Sequence, residues 1–324
     1  MIRLAKYLKP YAAILLLAVI LLFVQAMADL SLPDYIAQIV NVGIQQGGID
    51  NAVPVAIRQS EMNKLTLFMS DTDKATVLAD YTLIDKNSPN YAQDVTLYPD
   101  LSKESVYVLN TIPSTEVDKI NPILGKAFLA VSGIEQMQAN PSSAPAGFAA
   151  LIKPGTDPFA TLSALPGFLR TPILTTLNNK FDALGNSMII QSAAVPIKAE
   201  YTALGIDTNA IQNNYIFRIG AIMLVISLIS GVSTIAVGFL AARIAAGVAR
   251  DLRRDVFRKV ESFSNNEFDK FSVSSLITRS TNDVTQLQTL MFLMIRMVFY
   301  APILGVGGII KAVQVNSSMW WIIA

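Results

Sequence analysis

The sequence predicts an all-α membrane protein whose long helices extend beyond the bilayer and which carries a large separate insert. Three observations support this fold class. The 324-residue chain is 52% hydrophobic and only 15% charged, a composition typical of membrane proteins. Uncharged runs of membrane-spanning length occur in both terminal parts of the chain. Between them lies a segment of ordinary polarity that is punctuated by prolines and small polar residues.

The composition excludes several classes of chemistry. Neither cysteine nor histidine occurs in the chain. Disulfides, thiol nucleophiles, histidine acid–base catalysis and zinc sites built on these ligands are therefore excluded. No catalytic residue and no metal site is predicted.

The charges are distributed unevenly along the chain. Residues 41–214 contain 11 Lys/Arg and 16 Asp/Glu, whereas the remainder contains 14 Lys/Arg and 8 Asp/Glu. Basic residues gather before the first apolar run and in 243–279. Because basic residues flank membrane helices on the cytoplasmic side, we expect a multi-pass protein of the plasma membrane. Its N-terminus is expected in the cytoplasm and residues 45–214 outside the cell.

Residues 1–44 are predicted to be a cytoplasmic N-terminus and the first membrane helix. Tyr11 to Ala28 is 18 residues without a charge, which nearly crosses a bilayer core at roughly 1.5 Å per residue. The alternative is a signal peptide cleaved after Ala26-Met27-Ala28, which the later apolar segments disfavour. Asp29 follows, and it either lines a polar pathway or is solvated at the membrane interface.

Residues 45–214 are predicted to form an extracellular domain with its own core. Helices are expected at 52–69, 73–84, 114–138, 172–184 and 187–204, with Asp71 or Thr72 and Ser114 as N-caps. Strands near 94–97 and 106–110 leave an α+β domain open as the alternative to a mostly helical one. No catalytic constellation is apparent in this domain.

The second membrane helix, 215–263, is predicted to project far into the cytoplasm. Ile219 to Ala242 carries no charge. As one helix, 215–262 would be roughly 72 Å long, against a bilayer core of about 30 Å. Interleaved acidic residues and an apolar stripe favour packing against partner helices over nucleic-acid or anionic-lipid binding. A close helix approach is predicted where small residues recur at four-residue spacing, at Ser227 and Gly231 and at Ser230, Thr234 and Gly238.

A polar reversal at 264–272 leads into a third membrane helix at 273–313. Its apolar stripe recurs at alternating three- and four-residue steps. The last apolar run, 318–324, predicts the start of a fourth helix that is cut off, so that the chain is either a fragment of a longer protein or a truncated gene product. Residues of the stripe are Ile277, Ser280, Val284, Leu287, Met291, Met294 and Val298.

Four stretches of the sequence resemble the membrane half of ABC multidrug exporters, in particular Gram-positive half-transporters that work as heterodimers. The resemblance covers 1–44 and about 198–324. It excludes the insert, which is much larger than the short outer loop of most members. The stretches are LPDYIAQIVNVGI, EYTALGIDTNAIQNNYIFRIGAIML, FSNNEFDKFSVSSLITRSTNDVTQLQ and RMVFYAPILGVGGIIKA.

The resemblance implies a type I exporter fold with six membrane helices per subunit and a coupling helix in the first cytoplasmic reversal. It also implies a C-terminal nucleotide-binding domain, a second half-transporter forming a heterodimer, and membrane lipid as partners; no nucleic-acid partner is expected. Arg279 and Asp283 would brace the base of the third helix, or form a simple surface pair. The implied contacts to the nucleotide-binding domain are Asn266, Glu267, Phe268, Asp269 and Phe271.

The chain departs from the family in lacking ATPase motifs. No G-x-x-x-x-G-K-[ST] occurs, so ATP and Mg²⁺ are expected only in a domain outside this chain. The chain is expected to be part of an ATP-hydrolysing translocase without being catalytic by itself. It would help to move amphipathic drugs, lipids or peptides out of the cell by alternating access.

A membrane sensor or chemoreceptor with an extracellular ligand domain is the alternative function. The first 262 residues fit both classes, and the third apolar stretch favours the exporter. Candidate cavity residues are Gln25, Met27, Met291, Met294 and Arg296, although methionines at helical spacing more often serve packing.

Overall fold

The computed structural model describes residues 6–140, 156–264 and 272–315. The chain divides into two compact units. We call Ala37–Ile219 the insert unit, and Met1–Ile36 together with Gly220–Ala324 the membrane unit. Each unit is described separately below.

Among the described residues, three helices are long and apolar enough to cross a membrane, and helix α1 (Ala12–Gln38) is the first of them. It follows a short 3-10 turn at Lys9–Tyr11 and continues into a π-helical turn at Ile39–Gln45. Its buried residues are Ala18, Leu22, Gln25 and Ala26, which recur at three- and four-residue steps and so define one inward face. Large apolar side chains elsewhere on the helix are exposed, as expected where the solvent is lipid.

The insert unit contains a three-stranded antiparallel sheet and seven α-helices in the part of the chain that the structure describes. The strand order is β1-β3-β2, and Ile57 of β1 lies opposite Tyr107 of β3. The strands are β1 (Ala56–Arg58), β2 (Tyr81–Ile84) and β3 (Val106–Leu109). The helices are α2 (Gln59–Thr66), α3 (Asp71–Ala79), α4 (Tyr91–Leu97), α5 (Ser114–Ala139), α6 (Pro158–Ala164), α7 (Gly167–Asp182) and α8 (Asn186–Ala203).

The insert is therefore α+β, the alternative that the sequence left open, and several local predictions are wrong. The predicted helix 52–69 begins only at Gln59, because Ala56–Arg58 forms β1 and pairs with β3. The predicted helix 73–84 ends at Ala79 because β2 pairs with β3. The strand expected at 94–97 is the last part of α4, a helix that the amide of Tyr98 closes by donating to the Asp94 carbonyl. Ser70, rather than Asp71 or Thr72, caps α3, and Ser114 is the first helical residue after Pro113.

The core of the insert unit lies between the long helices α5 and α8 and the sheet. Helices α5 and α8 pack closely enough that a Cβ on Gly125 would lie 2.9 Å from the side chain of Ile189. The core is large and apolar, so the insert can be stable as a domain of its own. Its fully buried large side chains include Met62, Leu65, Leu101, Ile120, Leu124 and Phe128.

The buried side chains of Glu200 and Tyr201 in the insert have close partners, whereas Asp80 Oδ2 has no hydrogen-bond partner among the described residues. Glu200 is 3% exposed and accepts from both the Nε and Nη2 of Arg58, at 3.1 and 2.7 Å. The hydroxyl of Tyr201 accepts from the Val55 amide at 3.0 Å. Burial raises the pKa of Tyr201 to about 12. The polar atoms of this core thus support the fold.

Helix α9 (Thr208–Glu261) is a single helix of 54 residues. At 1.5 Å per residue it is roughly 81 Å long, far more than the roughly 30 Å of a bilayer core. The predicted long second helix is present as one continuous element. Its last turns carry basic residues, including Arg258 and Lys259.

Helix α10 (Val273–Thr278), a π-helical turn (Arg279–Asp283) and helix α11 (Val284–Val315) form the third long segment. The predicted stripe is confirmed at Val284 and Met291, which are 3% and 6% exposed, but is wrong at Ile277 and Val298, which are 57% and 52% exposed. A π turn holds one residue more than an α turn. Ile277 is thereby rotated roughly 100° away from the face of Val284.

Candidate functional site

The membrane unit joins α1, α9 and α11 through a polar junction centred on Asp29. Ser230 of α9 donates its hydroxyl to Asp29 Oδ1 at 2.6 Å, and Tyr300 of α11 donates to Oδ2 at 2.6 Å. One carboxylate thus contacts all three membrane helices. Of the two alternatives for Asp29, a polar site inside the helix bundle fits these contacts better than solvation at the interface.

Gln25 lies one helical turn before Asp29 and belongs to the same junction. It is 5% exposed, and its side chain reaches the hydroxyl of Tyr300. Its Oε1 has no hydrogen-bond partner among the described residues. Buried polar atoms are usually hydrogen-bonded, so this acceptor oxygen distinguishes the junction from ordinary helix packing.

A second contact connects the C-terminal part of α11 to α1. The ammonium of Lys311 donates to the Leu30 carbonyl at 2.9 Å and pairs with the carboxylate of Asp34. Gly307 permits this close approach, because a Cβ there would lie 2.6 Å from Leu30 Cδ1. The charge of Lys311 is therefore compensated by its neighbour.

An apolar cavity of about 560 Å³ lies between α1 and α11. Its volume falls within the range of small-molecule sites. Lys311 and Gln314 provide its polar side chains. Its apolar wall consists of Phe23, Met27, Leu30, Pro302, Ile303, Val306 and Ile310.

A third cluster holds the start of the chain against the charged end of α9. Tyr7 donates to Asp255 at 2.9 Å, and Tyr11 donates to Asp251 at 3.0 Å. Arg250 bonds both Tyr11 and Asp251. A Cβ on Gly247 would lie 2.4 Å from the Tyr11 hydroxyl, so the glycine makes room for the tyrosine ring. Beneath these bonds Ile244, Val248 and Ile295 form a small apolar core.

The charged end of α9 also contacts the first turn of α11. Arg253 donates to Thr285 at 3.1 Å. Just before this contact, Ser280 and Thr281 both donate to the carbonyl of Ile277. Hydroxyls that bond back to helix carbonyls bend helices, and they coincide here with the π turn.

Some of the predicted site residues lie within the described part of the structure, and others lie outside it. Arg279 and Asp283 lie at the two ends of the π turn, and both are exposed; their bracing role stays a prediction. The predicted coupling residues Asn266, Glu267, Phe268, Asp269 and Phe271 lie outside the described residues, as does the predicted fourth helix at 318–324.

Of the five candidate cavity residues, Met27 lines the described cavity and the other four do not. Gln25 belongs to the polar junction, Met291 is 6% exposed and packs in the bundle, and Arg296 is exposed. Met294 is half-buried. Their role in binding substrate stays a prediction.

Sequence reasoning missed Ser230 and Tyr300 as partners of Asp29. Ser230 was noticed for its small size, but its partner is 201 positions away, and Tyr300 is 271 positions from Asp29. The bonds from Tyr7 and Tyr11 were also missed. The feature of the sequence that pointed to these bonds was the acidic pair Asp251 and Asp255, which lie one turn apart in a basic stretch of helix.

Known proteins resemble parts of this chain. Residues 187–324 match the ABC transporter transmembrane region family. The uncharacterized ABC transporter ATP-binding protein YfiB of Bacillus subtilis (strain 168) is 38% identical over 97 residues, which is 30% of this chain and 17% of that protein. An uncharacterized ABC transporter ATP-binding protein of Mycobacterium tuberculosis is 37% identical over 108 residues, 33% of this chain and 19% of that protein.

A putative ABC transporter ATP-binding protein of Mycoplasma pneumoniae is 35% identical over 81 residues, which is 25% of this chain and 13% of that protein. The chain thus spans less than a fifth of the length of these curated relatives. The predicted all-α membrane fold and the resemblance are nevertheless confirmed. Residues 187–324 of this chain are thus similar to the transmembrane region of ABC transporters, and the described residues include three helices long and apolar enough to cross a membrane.

Proposed function

We propose that this chain is the N-terminal membrane part of an ATP-driven exporter that moves amphipathic compounds by alternating access. The observation that carries the proposal is the family match over 187–324, which includes α9, α10 and α11. The relatives are named as ATP-binding proteins, and ATP with Mg²⁺ would bind in a nucleotide-binding domain outside this chain. A membrane sensor has no comparable support.

The length of α9 supports transmission of force from such a domain. A helix of roughly 81 Å that crosses a bilayer core of about 30 Å must project well beyond it. Its charged end is fastened to the start of the chain by Tyr7 and Tyr11 and to α11 by Arg253. A push on the adjoining reversal at 264–272 would therefore move several helices together.

The partners follow from the same proposal. The reversal would dock into the nucleotide-binding domain through Glu267, Phe268 and Asp269. A second half-transporter, forming a heterodimer, would complete the translocation pathway. The protein would lie in the plasma membrane, with the N-terminus in the cytoplasm and the insert outside. Drugs, lipids and peptides remain the candidate substrate classes.

Deleting residues 265–271 tests the coupling in the complete transporter. ATP-dependent accumulation of a fluorescent drug in inside-out vesicles should be lost, while alkali-resistant membrane insertion persists. A matched seven-residue deletion in the insert, 141–147, should leave accumulation nearly unchanged. Equal accumulation in both deletion variants would refute the coupling role.

Single cysteines test the topology, because the chain has no natural cysteine. In intact cells a membrane-impermeant maleimide should label Ser142→Cys and should label Ser264→Cys only after permeabilisation. The opposite pattern would reverse the proposed orientation.

A further inference from the structure

A glycine turn holds the start of the insert against helix α9. Gly48 has a φ of +83°, a conformation that favours glycine, and its amide donates to the Val42 carbonyl at 2.8 Å. A Cβ on Gly48 would lie 2.8 Å from Gln212 Cα of α9. A pocket of about 380 Å³ lies between the turn and the helix. It is lined by Gly48, Asp50, Ile211, Asn214, Tyr215 and Arg218, all of which belong to the insert unit.

The pocket presents one anion and one cation that have no ionic partner among the described residues. Asp50 accepts a hydrogen bond from the side-chain amide of Asn51 at 2.9 Å. The guanidinium of Arg218 lies 5.7 Å from the centre of the Tyr215 ring. Neither charge belongs to an ion pair formed by the described residues, with the other or with a third group. Both lie close enough to Tyr215 to act electrostatically on its hydroxyl, so the two charges border the same space.

The position of Arg218 in α9 indicates from where a ligand can reach the pocket. Arg218 is followed directly by Ile219 to Ala242, which carries no charge, within one continuous helix. In the orientation proposed above, this is the outer end of a membrane span, at the depth of lipid headgroups. A phospholipid can therefore bring its headgroup to the pocket while its acyl chains stay in the bilayer.

The two charges select among headgroups. The planar donors of an arginine side chain suit a phosphate, which they can bind through two parallel hydrogen bonds. A primary ammonium has three donors and suits a carboxylate such as that of Asp50. Free phosphate and purely anionic lipids leave Asp50 without a cation, and a quaternary ammonium has no N–H to donate. A headgroup that carries both a phosphate and a primary ammonium matches both charges.

We propose that Arg218 and Asp50 bind the headgroup of a phospholipid of the phosphatidylethanolamine class. The Arg218 guanidinium donates to the phosphate, and the lipid ammonium donates to the Asp50 carboxylate. Asn214 adds an amide donor at the same pocket. The lipid is a resident ligand of the insert unit and not transported cargo. The inference rests on the membrane location in the proposed function and names one lipid partner of the chain.

Native mass spectrometry of the purified, delipidated chain in detergent tests the proposal without ATP. Phosphatidylethanolamine, phosphatidylcholine and phosphatidylglycerol with identical acyl chains are titrated, and the dissociation constant of the first bound lipid is measured. Phosphatidylethanolamine should bind at least roughly tenfold more tightly than either other lipid, because it alone gives both charges a hydrogen-bonded partner. Inorganic phosphate at the concentration of the lipid should not displace it.

Single substitutions locate the site. Arg218→Gln and Asp50→Asn should each weaken phosphatidylethanolamine binding by at least roughly tenfold. Arg218→Lys keeps the charge and should bind this lipid more tightly than Arg218→Gln. Arg243→Gln and Asp118→Asn are matched controls, since both residues are exposed and neither belongs to an ion pair of the described residues. Each control should change the affinity less than roughly twofold.

Three results would overturn the proposal. The first is unchanged phosphatidylethanolamine affinity in both Arg218→Gln and Asp50→Asn. The second is a loss in Arg218→Gln without a loss in Asp50→Asn, and the third is displacement of the lipid by inorganic phosphate; either would make the pocket a site for phosphate alone. If circular dichroism shows that Arg218→Gln does not fold, Asp50→Asn decides, and an unchanged preference for phosphatidylethanolamine there refutes the site.

The two proposals fail separately, because the binding assay contains no nucleotide. Loss of transport in the 265–271 deletion with a retained preference for phosphatidylethanolamine would leave the headgroup site intact. Equal binding of the three lipids alongside ATP-driven drug accumulation would refute only the headgroup site.

Discussion

The carboxylates of Glu200 in the insert unit and of Asp29 in the membrane unit have different hydrogen-bond donors. In the insert, Glu200 accepts from the Nε and Nη2 of the Arg58 guanidinium. In the membrane unit, Asp29 accepts from the neutral hydroxyls of Ser230 and Tyr300. Each unit also keeps one buried acceptor oxygen without a partner among the described residues, Asp80 Oδ2 and Gln25 Oε1. The two units therefore differ in charge compensation, because a cationic donor balances Glu200 and neutral donors hold Asp29.

The two units also place apolar side chains differently. Phe128 in the insert is 1% exposed, while Leu228 on α9 is 59% exposed. Water would penalise the exposure of Leu228, but lipid does not. The insert is therefore stabilised by its own core, and the membrane unit depends on a small number of close contacts between helices.

The largest expected effect comes from truncating a buried side chain in the core of the insert. Phe128→Ala should lower the free energy of unfolding of the insert by about 3–5 kcal/mol, because it removes a buried ring and leaves a cavity. Pulse proteolysis of the detergent-solubilised chain in urea, with insert fragments followed by mass spectrometry, measures it. Leu228→Ala is the matched control and should leave the insert unaffected; equal effects would contradict the separation of the two units.

A smaller effect is expected in the membrane unit at Gly247, whose missing side chain leaves room for the Tyr11 hydroxyl. Gly247→Ala places a Cβ 2.4 Å from the Tyr11 hydroxyl, so the Tyr11–Asp251 bond must shift, at a cost of about 2 kcal/mol. Thermal unfolding by circular dichroism in detergent should show a lower Tm. Gly231→Ala meets no atom within 4 Å and should not lower it; a drop as large as that of Gly247→Ala would remove the special role of this contact.

The smallest effect concerns the titration of Tyr201. Its pKa is raised to about 12 by burial, so above pH 10 the unfolded chain loses this proton first and unfolding is favoured. At pH 11 this should cost the insert about 1.4 kcal/mol. Below pH 10 the proton is bound in both states, so no cost arises.

Tyr201→Phe isolates this effect. At pH 7 the difference in unfolding free energy from wild type reports the lost hydrogen bond from the Val55 amide. Between pH 7 and pH 11 that difference should shrink by about 1.4 kcal/mol. An unchanged difference would show that Tyr201 titrates normally.

The sequence predicted the long elements well and the short ones poorly. Uncharged length identified α1 and α9, and the recurring apolar stripe identified the third long segment. Such elements are predictable because few structures satisfy the backbone in lipid. Strands β1 and β2 have three and four residues, too few to show a period of two, and their pairing with β3 depends on distant residues. Helix α4 was mistaken for a strand because seven residues hold barely two turns.

Only the α1 residues of the polar junction could be predicted from the sequence. Gln25 and Asp29 stand out because they interrupt an apolar run. Their partners do not, because a serine or a tyrosine is unremarkable in a membrane helix. Only the packing of three helices brings Ser230 and Tyr300 to one carboxylate.

The π turn at Arg279–Asp283 fixes the rotational phase between α10 and the membrane helix α11. In a regular α-helix each residue turns the chain by roughly 100°, so Ile277 would lie within roughly 20° of the direction of Val284, seven residues later, as a heptad requires. The π turn, which holds one residue more than an α turn, removes this alignment. It thus decides which side chains of α10 share the face on which Val284 is buried.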